Sequence, residues 1–351
     1  MAKAKIGFVG VGGMGQMAHL RNYVNIQECE VVALAEIRPK LAQAVAQRYN
    51  IPRVYATHEE LLANEKLDGI VAAQPFQRHA FLLPDLYKGA KNVFTEKPLA
   101  VTVENGKKLA KAAEAAKCTH MVGYHKRSDP ATMYAKDLIE KWKKSGKYGK
   151  LRYVRIAMPA GDWVANGFTG HINSGEPYAA DLKWETKPAG MTQDIWDKLN
   201  GFVNYYIHQV NLMRHLLGED YKVTYTDKGD AFFAVASEGG VGGVVETSAY
   251  TTSIAWEETA LVAFEHGYIK IALPAPVTVH RAGTVEIYED AGNGATPIRT
   301  FPTMPWVHAM WQQAINFVKV CQGKGEPLCT AAEAVKDLEV ARDFIKMRHG
   351  K

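Results

Sequence analysis

The chain has 351 residues, 47% hydrophobic and 23% charged, with a formal net charge of +5. That length accommodates two domains with sizeable cores, and the composition is that of a globular protein. No basic run of nucleic-acid type and no apolar run of membrane-spanning length occurs, and Cys29, Cys118, Cys321 and Cys329 have neither metal-site spacing nor the density of a disulfide framework.

The N-terminal residues lead straight into an apolar run, Ile6 to Val9, leaving no room for a signal peptide and giving a cytoplasmic expectation. The run reads as a buried strand and breaks at Gly10. Gly10, Gly12 and Gly15 stand at G-x-G-x-x-G spacing, with a helix predicted from Met14. Such glycines allow a tight turn, approach of a pyrophosphate to bare backbone and close helix packing, so Gly10, Gly12, Gly13, Met14 and Gly15 form the expected phosphate cradle. A second strand, 30–35, ends at Glu36, roughly 20 residues on, where a carboxylate meets the ribose 2′-hydroxyl of a dinucleotide. It would repel a 2′-phosphate, so NAD is expected over NADP. Arg38 could stack on adenine, pair with that phosphate, or stand as a solvated loop charge.

Helices are then predicted over 39–49, 80–88 and 102–116, and strands over 54–55, 67–73, 92–95 and 120–123, with a helix cap at Thr57. This is the rhythm of a doubly wound parallel sheet, assigned to a domain of residues 1–127. From 128 to 351 the pattern changes. A helix over 132–144 precedes a strand over 151–156, then an irregular stretch over 159–200 dense in Gly, Pro, Asp and Trp, of the kind that binds or covers a site. Strands are predicted over 231–237, 243–250, 260–264, 268–273 and 285–289, with turns at His266-Gly267 and Gly292-Asn293-Gly294, and helices over 307–322 and 331–348. The second domain reads as α+β on an open, largely antiparallel sheet.

Two places carry candidate chemistry. Lys97, in Thr95-Glu96-Lys97-Pro98, ends a strand before a proline that would aim it toward the crevice; the plain alternative is an exposed loop lysine. A helix read over 201–218 sets Asn204, His208, Asn211 and His215 within roughly 60° of one another, flanked by apolar residues. That is a cavity wall or a histidine network satisfied in a core. Tyr124, His125, Lys126 and Arg127 follow a strand end, and Asp162-Trp163 and Lys183-Trp184 lie in the irregular stretch. Acids and amides beside aromatics suit a polyhydroxylated ring. No metal site is read, since His208 and His215 are two turns apart with no acidic cluster.

The chain resembles the glucose–fructose oxidoreductase / inositol dehydrogenase (Gfo/Idh/MocA) family. The matching elements are Gly10-Val11-Gly12-Gly13-Met14-Gly15, Gln74-Pro75 with His79, Glu96-Lys97-Pro98, Val122-Gly123-Tyr124 with Arg127, Ile207-His208, and Phe317, Gly323 and Glu326-Pro327. The resemblance implies a Rossmann domain holding a nicotinamide cofactor tightly and a C-terminal sheet that mediates a homo-oligomer, dimer or tetramer. It adds Gln74, Pro75, His79, Glu96 and Lys97 to the cofactor set and puts Lys97 and His208 beside the nicotinamide. Tyr124, His125, Arg127, Asp162, Trp163 and Asn204 complete the expected substrate set. Where the family often has Asp, this chain has Asn204, which cannot take a proton.

A histidine near its reference pKa of about 6.5 is mostly neutral at cytoplasmic pH, whereas a lysine would have to fall by roughly three units to accept a proton. His208 is therefore expected as general base and Lys97 as the cation stabilising the developing alkoxide. The expected activity is an NAD-dependent dehydrogenase acting on a CH–OH group of a small-molecule carbohydrate: a sugar, glycoside or cyclitol. The alternatives are a redox-neutral glycosidase working through a transient keto-sugar, with Tyr205 and Tyr206 as further groups, and a noncatalytic NAD-binding regulator.

Overall fold

Six apolar runs form the parallel strands β1 (Ala4–Val9), β2 (Cys29–Ala35), β3 (Arg53–Tyr55), β4 (Gly69–Ala72), β5 (Asn92–Glu96) and β6 (Thr119–Gly123). The computed structural model describes residues 2–248, 250–292 and 294–350. The strands lie in the order β3-β2-β1-β4-β5-β6, so the winding reverses between β1 and β4 and opens a crevice at their carboxyl ends. Helices α1 (Arg21–Tyr23), α2 (Pro39–Tyr49), α3 (His58–Asn64), α4 (His79–Gly89) and α5 (Val103–Ala115) connect them. Local chemistry sets their ends. Pro39 opens α2, and Asn50, left-handed at φ 54°, closes it. Thr57 accepts the Glu60 N–H at 3.2 Å while the Glu60 carboxylate accepts the Ala56 N–H at 2.9 Å.

The helix expected from Met14 departs from the α form: Gly15–Leu20 is wound as a π-helix, and α geometry resumes at Arg21. All six residues of this wide turn are buried. It turns the polar side chains of Gln16 and His19 onto interior partners, as wide turns near functional sites commonly do.

Helices α6 (Pro130–Ser145), α7 (Gln193–Tyr205) and α8 (Ile207–Leu217) accompany a second sheet. Its strands are β7 (Leu151–Ala157), β8 (Tyr221–Thr226), β9 (Phe232–Ser237), β10 (Gly242–Glu246), β11 (Glu258–Phe264), β12 (Gly267–Leu273), β13 (Thr284–Glu289) and β14 (Ile298–Thr300). They run in the order β14-β13-β12-β11-β7-β10-β9-β8, parallel at β7–β10 and antiparallel elsewhere. Burial alternates along β9 and β11, the mark of a sheet with one covered face. Trp142 of α6 packs on Phe264, ring centroids 5.2 Å apart, and Phe202 stacks on Phe344 at 4.4 Å. Each such large buried ring stabilises by roughly 1.5–3 kcal/mol.

Four expectations need correction. The helix read over 201–218 is two helices, broken at Tyr206, whose hydroxyl donates to the Thr247 carbonyl at 3.0 Å. The irregular stretch is shorter than read, because α7 begins at Gln193. Strands β8 and β14 were not predicted, and β10 stops at Glu246 rather than 250. Ala249, in that predicted strand, and Asn293, in the predicted turn, lie outside the described residues.

The chain forms two compact units. One comprises Met1–Tyr124, Asn166–Trp196 and Met310–Leu338; the other comprises His125–Ala165, Asp197–Ala309 and Glu339–Lys351. The last helices are α9 (Ala309–Cys321) and α10 (Ala331–His349). Ala314, Phe317 and Val318 of α9 join Ile6, Phe8, Val71, Phe94 and Met121 in the core of the first unit. Gly69 keeps that contact close, since a Cβ there would lie 3.1 Å from Phe317 Cε1. Among the described residues no helix is long and apolar enough to cross a membrane.

Candidate active site

At the carboxyl edge of the first sheet, two glycines are demanded by backbone approach. Gly10 has φ +90°, and a Cβ on it would lie 2.7 Å from the Ala73 carbonyl oxygen; a Cβ on Gly15 would lie 2.7 Å from the Gly10 carbonyl oxygen. Gly12 and Gly13 differ. Around a Cβ at Gly13 nothing lies within 4 Å, and at Gly12 the nearest atom is Arg38 Nη2 at 3.6 Å. A side chain would fill this open cradle, and the N–H groups of a first helical turn have no intrahelical acceptor. The residues fit the phosphates of a dinucleotide.

Glu36, buried at the end of β2, accepts the Val11 N–H at 3.0 Å and grips Arg38 through Nε at 2.8 Å and Nη2 at 3.0 Å. The hydrogen bond to Glu36 holds the Arg38 pKa above its usual value. Gln74 lies against Gly10 and accepts from Arg78 Nη1 at 3.2 Å; Pro75 precedes the short turn Phe76–Arg78. His79 is fully enclosed, its Nδ1 3.0 Å from the Leu99 carbonyl oxygen, and burial pushes its pKa down to about 4. It is a neutral group that holds the segment following Pro98.

Lys97, half-buried, follows the tip of β5, and the Lys97–Pro98 peptide is cis. Its neighbour Glu96 is buried and meets His19 Nε2 at 2.7 Å. Burial pushes the Glu96 carboxyl up, but the hydrogen bond with His19 and the electrostatic interactions with His19 and Lys97 outweigh it and hold it below the usual value. An anion therefore stands directly beside Lys97. The sequence reading missed His19, whose only signal was its place in the helix after the glycines. His120, between the Tyr87 hydroxyl at 2.8 Å and the Thr95 hydroxyl at 2.9 Å, is pushed down to about 3 by burial and belongs to the core.

In the second unit, the His208 ring of α8 meets the His125 ring edge-on at 4.6 Å. Arg127 Nε donates to the buried Asn211 amide at 2.7 Å. Glu258, buried at the start of β11, is ion-paired with the equally buried Lys126 and accepts from Gln209 Nε2 at 2.8 Å and Trp256 Nε1 at 3.2 Å. Lys126 is thus committed to a structural pair. Glu258 could have been found, because it occupies the core-facing register of an alternating strand with Ala260, Val262 and Phe264. His125, Lys126, Asp129, Leu273 and Arg281 line a small hollow that is open to solvent.

Other expected residues separate. Burial first, and then Arg127, Lys136 and Arg214, hold His215 neutral with a pKa well below its ordinary value. Asn204 is exposed on α7, across the break from His208. Asp162 accepts the N–H groups of Val164 and Ala165, both at 3.0 Å, and so shapes its own turn; Trp163 is exposed. Tyr124 is buried at the end of the first unit's opening stretch. Trp184, read as facing a sugar, belongs to the first unit and lies 6.0 Å from Arg78.

Residues 4–124 match the model of an oxidoreductase family with an NAD-binding Rossmann fold. The chain is 28% identical over 191 residues to the rhizopine catabolism protein MocA of Rhizobium meliloti, covering 53% of this chain and 58% of that protein. It is 24% identical over 216 residues to an inositol 2-dehydrogenase of Rhizobium meliloti (strain 1021), covering 62% and 56%. The chain thus spans a little over half the length of these curated relatives. A levoglucosan dehydrogenase solved with NADH and levoglucosan superposes with a TM-score of 0.72 at 17% identity, over 99% of this chain and 97% of that one, a likeness of fold.

Proposed function

The chain belongs to the Gfo/Idh/MocA oxidoreductase family, and from that premise we propose that it is an NAD-dependent dehydrogenase of a secondary hydroxyl in a sugar, glycoside or cyclitol. The observation that carries this reading is the glycine turn at the β1/β4 switch point, tight at Gly10 and Gly15 and open at Gly12 and Gly13. Glu36 favours a free ribose 2′-hydroxyl over a 2′-phosphate. The names of relatives that act on inositol and levoglucosan support the substrate class.

The nicotinamide supplies a hydride acceptor for the carbinol carbon. Lys97, kept cationic beside the Glu96 anion, hydrogen-bonds the hydroxyl oxygen and stabilises the charge that develops on it. His208 takes the hydroxyl proton. His79 and Glu96 position Lys97, and Arg127 with Asn211 steadies α8. A homo-oligomer formed through the second sheet belongs to the same reading, supported by the half-exposed Tyr153, Leu261 and Tyr288 on its outer face.

The test is NADH formation across a panel of free polyols and glycosides. His208→Ala and Lys97→Met are each expected to lower kcat/KM by about 10²–10⁴-fold. The double variant is expected to be little worse than the poorer single one, as for groups that act in one step. Near-normal oxidation by His208→Ala would refute the assignment, and cleavage of a glycoside without NADH accumulation would favour the redox-neutral reaction.

A further inference from the structure

The stretch from Gly167 to Glu185 has no helix or strand, yet it is fastened to the rest of the first unit along its length. Ile172 makes a two-bond pair with the Gln16 amide, 2.8 Å from its N–H to Oε1 and 2.9 Å from Nε2 to its carbonyl, as a neighbouring strand would. The Glu176 carboxylate accepts the Lys40 and Leu41 N–H groups at 3.2 and 2.9 Å, at the start of α2. Buried Glu185 accepts the N–H groups of Val101 and Thr102 at 3.1 and 3.0 Å and the Thr102 hydroxyl at 2.8 Å. Its own N–H donates to the Gln77 carbonyl at 2.7 Å. The segment therefore runs from the π-helical turn, past the end of β2, to the start of α5, across the edge where the glycine cradle opens.

Between the two carboxylate latches stand Tyr178 and Trp184, 43% and 38% exposed, with ring centroids 6.1 Å apart and planes at 81°. Each faces a guanidinium: Arg38 lies 4.7 Å from the Tyr178 centroid, and Arg78 lies 6.0 Å from that of Trp184. Arg38 is the group held by Glu36. An adenine joined to the ribose that Glu36 reads must lie within reach of these side chains. Large aromatics half in water on a segment fastened at both ends are ready-made surfaces for a flat base.

We propose that residues 172–185 are a strap forming the outer wall of the adenosine half of the cofactor site, where the perpendicular rings of Tyr178 and Trp184 make a corner, one ring to stack on the base and the other to meet its edge. This rests on the NAD reading above and extends it. The strap adds affinity for the adenosine moiety and slows cofactor release, which suits reactions that return the hydride at the same site.

The test is NADH release from the loaded full-length protein, followed by fluorescence on dilution into excess ADP-ribose. Calorimetry of ADP-ribose and of nicotinamide mononucleotide accompanies it. Tyr178→Ala/Trp184→Ala is expected to release NADH about tenfold faster or more and to weaken ADP-ribose binding by a similar factor, since stacking is worth roughly tenfold or more per base. Nicotinamide mononucleotide binding should be unchanged. In the unaltered protein, the amides of Ile172 and Glu185 should exchange more slowly with solvent once NADH is added. NADH that binds normally, with release unaltered in the double variant or amide exchange unaltered by the cofactor, overturns the strap and leaves the NAD reading standing. Failure of the unaltered protein to bind NADH overturns both.

Discussion

The nucleotide end of the first unit and the polar seam of the second use similar residues in opposite ways. At the nucleotide end, Glu36 and Arg38 pair beside an open cradle, and Arg38, Tyr178 and Trp184 keep part of their surface in water. In the seam, Lys126 and Glu258 have side-chain exposures of 3% and 0%, with Gln209 and Trp256 completing the carboxylate's bonds. Charges with one wet side can exchange a protein partner for a ligand at small cost. Charges with none are fixed parts of the scaffold, whatever binds nearby.

Breaking the seam should give the largest effect. Lys126→Met leaves the Glu258 carboxylate buried without its cation and is expected to cost about 3–5 kcal/mol, read from urea unfolding. Adding Glu258→Gln should recover most of the loss, since an amide carries no charge to compensate. A Lys126→Met protein as stable as the unaltered chain would mean that water reaches Glu258.

Acid should come next, with its effect in the first unit. His79 and His120 have folded pKa values of about 4 and about 3, depressed by burial below the ordinary value near 6.5. The unfolded chain therefore binds more protons as pH falls. The stability these neutral rings contribute is fully present above about pH 6.5 and is lost as pH drops through 4 toward 3. At about 1.4 kcal/mol per unit of pKa depression, each ring contributes on the order of 3–5 kcal/mol over that range. Urea midpoints measured from pH 7 to pH 4 should fall, and His120→Gln should flatten the slope.

Sequence periodicity found the six strands of the first sheet and six of the eight in the second, because those runs are short and either apolar or alternating. It failed where tertiary contacts override local preference. The π-helical turn depends on partners for Gln16 and His19 that lie far along the chain. The break at Tyr206 depends on a carbonyl contributed by Thr247. The stripe of Asn204, His208, Asn211 and His215 assumed one continuous helix and so grouped residues with different fates. Gly10, the strand end before Glu36 and the turn at Lys97 were legible as local structure, because their demands are local: a positive φ, a strand end, a proline. Tyr178 and Glu185 carried no such signal, since a strap without periodicity shows its anchors only after folding.

A third prediction separates folding from binding inside the glycine turn. Gly10→Ala must adopt a positive φ and push against Ala73, so it should lose roughly 1–3 kcal/mol of stability. Gly13→Ala meets open space and should change stability by less than about 0.5 kcal/mol. Its methyl group occupies the cradle, however, and NADH affinity measured by fluorescence should fall about tenfold or more. Equal effects of the two substitutions on unfolding would mean the cradle is not open.

The smallest effect isolates the Glu36–Arg38 pair. Its carboxylate already accepts from Val11, from the Arg38 backbone and from two guanidinium nitrogens, so a ribose hydroxyl must replace one of these bonds rather than add to them. Glu36→Gln keeps an acceptor for Val11, removes the charge that repels a 2′-phosphate and loosens Arg38 to receive it. The ratio of NAD to NADP affinity should therefore shift toward NADP by about tenfold, near 1.4 kcal/mol, while unfolding moves by about 1 kcal/mol or less. A ratio that does not move would mean that Arg38 governs the choice alone, and Arg38→Ala would then carry the whole shift in the opposite direction.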